Sequence, residues 1–286
     1  MKKVAVFNDL SGFGKCSLTA AIPVLSAMGV QCCPMASAVL TGQTEYPFYY
    51  STDLTDMILL YKEAWLKNGA HFDGIYSGFM TGPKQIEKFF EFLDVFYEDN
   101  TFLMVDPIMG DDGFTYDIFS DGLLDSMRQL SCKADLITPN LTEACLLAGY
   151  DLNKMYDYSD SNSLLDFASE IGECLRDRAD KEQEVVITGI KCADKKSQFV
   201  YNLAVTTDGN FTSQSEFIDK HFSGTGDLFA SVLCGAKLRG LSTVKAMELA
   251  ASFLFHSIED TLKDDVLDVD GVNFEKFLIE LIQGVN

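Results

Sequence analysis

The stretch Phe222-Ser223-Gly224-Thr225-Gly226-Asp227-Leu228-Phe229 sets a Gly-x-Gly turn against a helical pattern whose apolar stripe is Leu228, Phe229, Val232, Leu233 and Ala236. The unpaired N–H groups of a helix's first turn point outward with partial positive charge, and glycines let the backbone approach an anion without an intervening Cβ. Gly224, Thr225 and Gly226 therefore form a candidate anion hole, suited to a γ-phosphoryl group. Asp227 follows where a phosphate acceptor must arrive, and a carboxylate there can take the proton of an attacking alcohol. The other reading is that Asp227 is simply an acid in a helix's first turn, where acids are favoured electrostatically. Gly-x-Gly-Asp is too short to separate the two by itself.

Further candidate parts stand in order along the chain. Asp106-Pro107-Ile108-Met109-Gly110-Asp111 follows the apolar run Phe102 to Val105, so Asp106 lies at a strand's carboxyl end, where open α/β sheets hold their ligands. Thr138-Pro139-Asn140-Leu141-Thr142-Glu143 follows the next run in the same way. Asn140 and Glu143 have the spacing of a capping box, which would make them helix-start residues. Alternatively, Asp106 and Glu143 hold Mg²⁺, directly or through water, beside a triphosphate. Each motif is weak alone, and together they favour phosphoryl transfer.

The segment Asn8-Asp9-Leu10-Ser11-Gly12-Phe13-Gly14-Lys15-Cys16-Ser17 also joins a strand to a helix. It fails as a Walker A loop, because Asp9 stands at the first glycine and Cys16 follows Lys15. It fails as a dinucleotide fingerprint, because Ser17 replaces the third glycine and no acid follows at the required distance. A nicotinamide-dependent oxidoreductase is therefore disfavoured. What is left is an ordinary βα turn, or a loop offering Asp9 and Ser11 to a small polar ligand.

The elements that must position these residues alternate from the first residue. Val4 to Phe7, about Cys32 to Val39, Gly74 to Ser77, Phe102 to Val105, Leu136 to Thr138 and Val185 to Thr188 are short apolar runs that read as buried strands. Between them, Leu18, Ala21, Ile22, Leu25 and Met28 recur at helical spacing, with Pro23 expected to kink that helix or shift its start. Ile86, Phe89, Phe90, Leu93 and Phe96 make a second core-facing stripe. From Ser197 to Phe217 the chain alternates, turns at Asp208-Gly209 and reads as an antiparallel hairpin. Helices are expected again at Asp227 to Arg239, about Thr243 to Thr261, and Phe274 to Ile282. The pattern predicts an α/β fold in one domain over 1–286: a three-layer sandwich, its central sheet mostly parallel with an antiparallel edge and helices on both faces.

Of the 286 residues, 47% are hydrophobic and 23% charged, a balance that argues for an extensive core and against disorder. Lys and Arg number 22 against 43 Asp and Glu, a formal charge of −21. Such a surplus repels nucleic-acid phosphates and an anionic membrane face, so neither partner is expected. No apolar run approaches the roughly 18 residues that span a bilayer. Lys2 and Lys3 precede only a short apolar stretch, ended by Asn8-Asp9 before a signal core could form. Cysteines at 16, 32, 33, 132, 145, 174, 192 and 234 form no CxxC pair, and histidines at 71, 221 and 256 show no zinc spacing. Reduced thiols and a cytoplasmic location follow. Lys220 and His221 beside the glycine motif read as lid or surface residues, and His256 as a satisfied core histidine.

From about Val4 to Thr261 the chain resembles the pyridoxal/pyridoxamine kinases of the ribokinase superfamily. The likeness rests on Asn8-Asp9-x-Ser11-Gly12, the segment ending in Thr44, Tyr76-Ser77-Gly78-Phe79, Asp106-Pro-x-Met-Gly-Asp111, Thr138-Pro-Asn-x-x-Glu143, Val186-Ile-Thr188-Gly189 and Gly224-Thr-Gly-Asp227. The resemblance implies a ribokinase-like fold and an ATP:pyridoxal 5′-phosphotransferase of vitamin B6 salvage. It implies MgATP as phosphoryl donor, a response to K⁺, and a homodimer. It further implies Asp227 as base, Gly224, Thr225 and Gly226 as anion hole, and Asp106 and Glu143 around Mg²⁺. Asn140 and Thr188 would contact the nucleotide; Asp9, Ser11, Thr44 and Phe79 would lie on the pyridine side. Where many members read Asn-His-Thr-Gly this chain has Gly42-Gln43-Thr44-Glu45, and Phe79 replaces a common Tyr. Phe79 keeps a stacking face but loses a phenol's hydrogen bond, and Glu45 reads as a surface acid or as a group favouring an amine-bearing substrate. The rivals are a hydroxymethylpyrimidine or sugar kinase of the same superfamily, and a non-catalytic ligand-binding protein on the same fold.

Overall fold

A computed structural model describes residues 1–191 and 199–285. In chain order the elements are β1 (Lys3–Ser11), α1 (Ser17–Ala27), β2 (Gln31–Leu40), β3 (Ser51–Asp53), α2 (Met57–Lys67), β4 (Gly74–Ser77), α3 (Pro83–Phe96) and β5 (Phe102–Val105). Then come β6 (Gly110–Asp111), β7 (Phe114–Thr115), α4 (Asp121–Lys133), β8 (Leu136–Ile137), α5 (Leu141–Ala148) and α6 (Ser161–Arg178). The chain continues through β9 (Glu184–Ile190), β10 (Phe199–Thr206), β11 (Gly209–Glu216), α7 (Thr225–Leu238), α8 (Thr243–Thr261) and α9 (Leu278–Gly284).

Among the described residues the strands form a nine-stranded sheet in the order β11-β10-β9-β8-β5-β4-β1-β2-β3. Pairing is parallel from β2 through β9 and antiparallel at β9-β10 and β10-β11, the expected edge. The opposite edge is antiparallel too, at β2-β3, which the sequence reading did not anticipate. β3 is Ser-Thr-Asp and wholly exposed, so it carries no apolar signal.

Alternation along the strands explains the layers. Val4 and Val6 face one side of β1, with α1, α7, α8 and α9; Ala5 and Phe7 face the other, with α2 to α6. The three-layer sandwich is therefore borne out. On the α2–α6 side Phe7 stacks on Phe89 with ring centroids 5.0 Å apart, and Phe89 stacks in turn on Phe92.

Several boundaries differ from expectation for local reasons. β1 runs past Asn8-Asp9 to Ser11, because its pairing with β2 continues to Leu40 across a register shift between Asn8 and Leu10. β9 likewise extends beyond Thr188 to Ile190. Pro23 sits inside α1 without delaying its start. The hairpin turn falls at Thr207-Asp208, with Thr206 paired to Gly209; its expected beginning at Ser197 lies outside the described residues. The last helix begins at Leu278, preceded by a short 3₁₀ turn, Glu275–Phe277. Described cysteines are all free thiols, and Cys192 lies outside the described residues. No helix among the described residues is long and apolar enough to cross a membrane.

Phe89 is fully buried between two rings. Phe89→Ala is expected to destabilise the fold by about 3–5 kcal/mol, read as a shift of the urea midpoint at unchanged slope.

Candidate active site

Because β1, β4, β5, β8 and β9 are sheet neighbours, their carboxyl ends bring Asn8-Asp9, Gly78-Phe79, Asp106, Thr138-Asn140 and Thr188 side by side. A parallel bridge joins Asn140 to Thr188 beyond the end of β8. A cavity of about 360 Å³ opens there, lined by Asp106, Asn140, Glu143, Thr188 and the whole run Gly224 to Asp227. Its far wall is apolar, with Phe229, Ala251, Leu254 and Ile258 from α7 and α8.

The glycine turn is where sequence chemistry dictates geometry most firmly. Gly224 caps α7 with φ +78°, and a Cβ there would meet the Lys15 carbonyl oxygen at 2.0 Å. Gly226 differs: nothing lies within 4 Å of where its Cβ would be, on the side of the cavity. The N–H groups of Thr225, Gly226 and Asp227 have no intrahelical acceptor, as in any first turn. Thr225 Oγ1 donates to the Phe222 carbonyl at 3.1 Å, which closes the turn.

Asp227 is partly open to the cavity, yet its carboxyl sits within protein, and that burial raises it to about 6. Asp9 raises it further, while hydrogen bonds from Ser17 N and from Asn8 Nδ2, the latter at 3.0 Å, oppose the shift. Asp106 and Glu143 are nearly inaccessible, and burial followed by neighbouring negative charge pushes both well above the usual carboxylate range. Thr138 Oγ1 donates to Asp106 at 3.1 Å. Glu143 and Asn140 form the capping box of α5, with reciprocal bonds of 2.9 Å, and Met109 N also donates to Glu143 at 3.0 Å. The helix-start reading of this pair is thus correct, and it leaves both Glu143 oxygens accepting from backbone N–H groups.

The pyridine-side set divides. Asp9 is buried and accepts from Ser11 Oγ at 2.7 Å and from Ser17 Oγ at 2.5 Å. Asp9 and Ser11 belong to β1 and lie off the cavity wall rather than on a loop beside it. Thr44 is exposed, and half-buried Phe79 donates its backbone N–H to Asn8 Oδ1 at 2.9 Å.

Other residues of the site were not singled out as such. Asp111, Tyr116 and Lys191 line the cavity, as does Glu45, which is no isolated surface acid. Glu45 accepts from Ser223 Oγ at 2.5 Å and pairs with His221 Nε2 at 3.6 Å; that bond holds the imidazole above its usual range and pulls the Glu45 carboxyl below its own. Lys220 and His221 are exposed, as read, and both also line the cavity. Lys220 pairs with Asp268 at 3.0 Å and Lys191 with Asp112 at 2.7 Å. His256, expected in the core, is half-exposed and pairs with Glu280 at 3.0 Å, away from the cavity. Its satisfied state is as read; its burial is not.

A family model described as phosphomethylpyrimidine kinase matches residues 14–267. The chain belongs to this family. Its phosphomethylpyrimidine kinase fold is shared with a Bacteroides thetaiotaomicron VPI-5482 protein provisionally described by the same name. That protein is 34% identical with a TM-score of 0.90, and the match covers 98% of this chain and 93% of that one. A second crystal form of the Bacteroides protein, with pyridoxal, matches at a TM-score of 0.89. Pyridoxal kinase from Lactobacillus plantarum is 25% identical with a TM-score of 0.87, over 99% of this chain and 97% of its own. Pyridoxal kinase from Bos taurus is 24% identical over 256 residues, 84% of this chain and 78% of its own. The resemblance read from the motifs is borne out, and this phosphomethylpyrimidine kinase family member is a kinase of ribokinase-like fold.

The two glycines should separate on substitution. Gly224→Ala is expected to lose at least about 1 kcal/mol of stability, since a side chain is strained at that φ. Gly226→Ala should keep the native melting temperature yet lower kinase turnover, because its methyl enters the cavity. Thermal melting and turnover of both variants check this, and equal instability would contradict it.

Proposed function

We propose that the chain transfers the γ-phosphoryl group of ATP to the 5′-hydroxymethyl group of pyridoxal, pyridoxamine or pyridoxine, with Asp227 as general base. The observation that carries this is the placement of a raised, partly open carboxyl directly behind the Gly224-Thr225-Gly226 turn, in a cavity walled by further acids. The 34% identical relative that contains pyridoxal supports the choice of acceptor. Asp227 takes the hydroxyl proton as the acceptor oxygen bonds to the γ-phosphorus. The bond from that phosphorus to the oxygen bridging it to the β-phosphate breaks, and ADP leaves. The first-turn N–H groups at Gly224 to Gly226 face the charge on the transferring oxygens. The apolar wall of Phe229, Ala251, Leu254 and Ile258 suits a planar base, with Asn140 and Thr188 toward the phosphates.

Among the described residues no group of His, Cys, Asp or Glu would hold a metal ion alone. Asp106 and Glu143 nevertheless fit Mg²⁺ that is shared with phosphates, since burial and a neighbouring acid, Asp227 for Asp106 and Asp106 for Glu143, disfavour both charged forms and a cation would relieve them. Glu143, its oxygens already accepting two backbone N–H groups, fits a water-bridged role. Bound there, Mg²⁺ would offset charge on the phosphoryl oxygens. On the acceptor side the resemblance assigns Phe79, Thr44, Ser11 and Asp9 to the ring, of which Ser11 and Asp9 are buried in β1. A K⁺ response, a homodimer, a cytoplasmic location and one kinase domain over 1–286 complete the proposal and rest on the resemblance and the sequence.

The family model's own description favours a second acceptor, hydroxymethylpyrimidine. Incubation with MgATP and each acceptor, followed by mass, separates them: phosphate on the pyridine vitamers is expected, and product on the pyrimidine alone would overturn the acceptor while keeping the chemistry. Asp227→Asn should lose most of kcat with MgATP affinity retained. Only the ionised base accepts a proton, so kcat/KM should rise with pH through an acid limb near Asp227's value of about 6. A flat profile from pH 5 to 8 would refute that assignment.

A further inference from the structure

We infer that Asn8 is a positioning residue whose side-chain amide locks the Asp227 carboxylate and the Phe79 backbone into one frame, fixing the base relative to the ring platform. The inference rests on the proposed role of Asp227 as base. Asn8 is fully buried at the register shift of β1. Its Oδ1 accepts from two backbone donors, Asp9 N at 3.0 Å and Phe79 N at 2.9 Å. An amide nitrogen cannot accept from an N–H, so these donors decide which end of the side chain is oxygen. Nδ2 is thereby aimed at Asp227 Oδ1, 3.0 Å away.

The amide cannot swing aside. A Cβ on Gly78 would lie 2.4 Å from Asn8 Nδ2, 2.6 Å from Cγ and 2.9 Å from Oδ1, so the Gly78 backbone presses directly on the amide. One side chain from β1 therefore joins the loop after β4 to the first turn of α7, elements separated by well over a hundred residues of chain. A shift of Phe79 is passed to the base, and the reverse. Burial and Asp9 on β1 oppose ionisation of Asp227, whereas Ser17 N at the start of α1 and Asn8 favour it; Asp106 after β5, Cys16 and Tyr76 also face it.

Asn8→Asp is the discriminating variant. It keeps an acceptor for Asp9 N and Phe79 N, so a merely structural role is preserved, but it replaces the donor to Asp227 with a second negative charge. The expected result is a kcat loss of about 100-fold, an acid limb moved to higher pH, and an unchanged Kd for MgATP by calorimetry. Gly78→Ala, which displaces the amide without removing it, should lower kcat in the same way and serves if Asn8→Asp does not fold. Native kcat and acid limb in the folded variant, beside an inactive Asp227→Asn control, would overturn the role of Asn8 alone. Native turnover in Asp227→Asn itself would overturn the base assignment and this inference with it.

Discussion

The first turn of α7 is braced against the loop between β1 and α1, where Gly224 lies on the Lys15 carbonyl in a left-handed conformation that leaves no room for a side chain. The same few residues hold the neighbouring turn in place: Lys15 N donates to the Asp270 carbonyl, Ser223 N to Asp268, and Gly271 packs on Lys15 and Ser223. Gln43 extends the brace, donating from Nε2 to Ser223 Oγ and the Val269 carbonyl. The first turn of a helix thus arrives at the carboxyl edge of the sheet with its N–H groups aimed into the cavity. Asp227 inherits its position from a glycine three residues earlier.

The second constraint is electrostatic. Asp9, Asp106, Glu143 and Asp227 are gathered at the same end of the sheet, and each is raised first of all by burial. Local donors offset the cost: the hydroxyls of Ser11 and Ser17 for Asp9, Thr138 for Asp106, and the backbone N–H groups of Met109 and Asn140 for Glu143. Asp227 combines exposure to the cavity with two donors, Asn8 Nδ2 and Ser17 N, and burial still raises it to about 6.

Much of this was legible in the sequence, because the signals were local. The Gly-x-Gly turn before an apolar stripe, the strand-end Asp106, and the Asn140–Glu143 capping box each announce a backbone geometry within a few residues. β4 and β5 were legible to the residue, being short apolar runs between polar breaks. What could not be read depends on partners distant in the chain. The continuation of β1 through Asn8-Asp9 is enforced by β2, and the pairing of Glu45 with His221 joins residues 176 positions apart. Asn8 itself looked like a strand terminator; only Gly78 and Asp227, brought in by the fold, give its amide a direction.

The cations on the cavity wall carry a consequence for how tightly any anion is held. Lys191, Lys220 and His221 already have Asp112, Asp268 and Glu45 as counter-ions. An entering anion therefore displaces an acid from each cation it takes, and its departure lets the acid return. Each counter-ion thus reduces the net pull of the wall by the modest worth of a partly exposed ion pair.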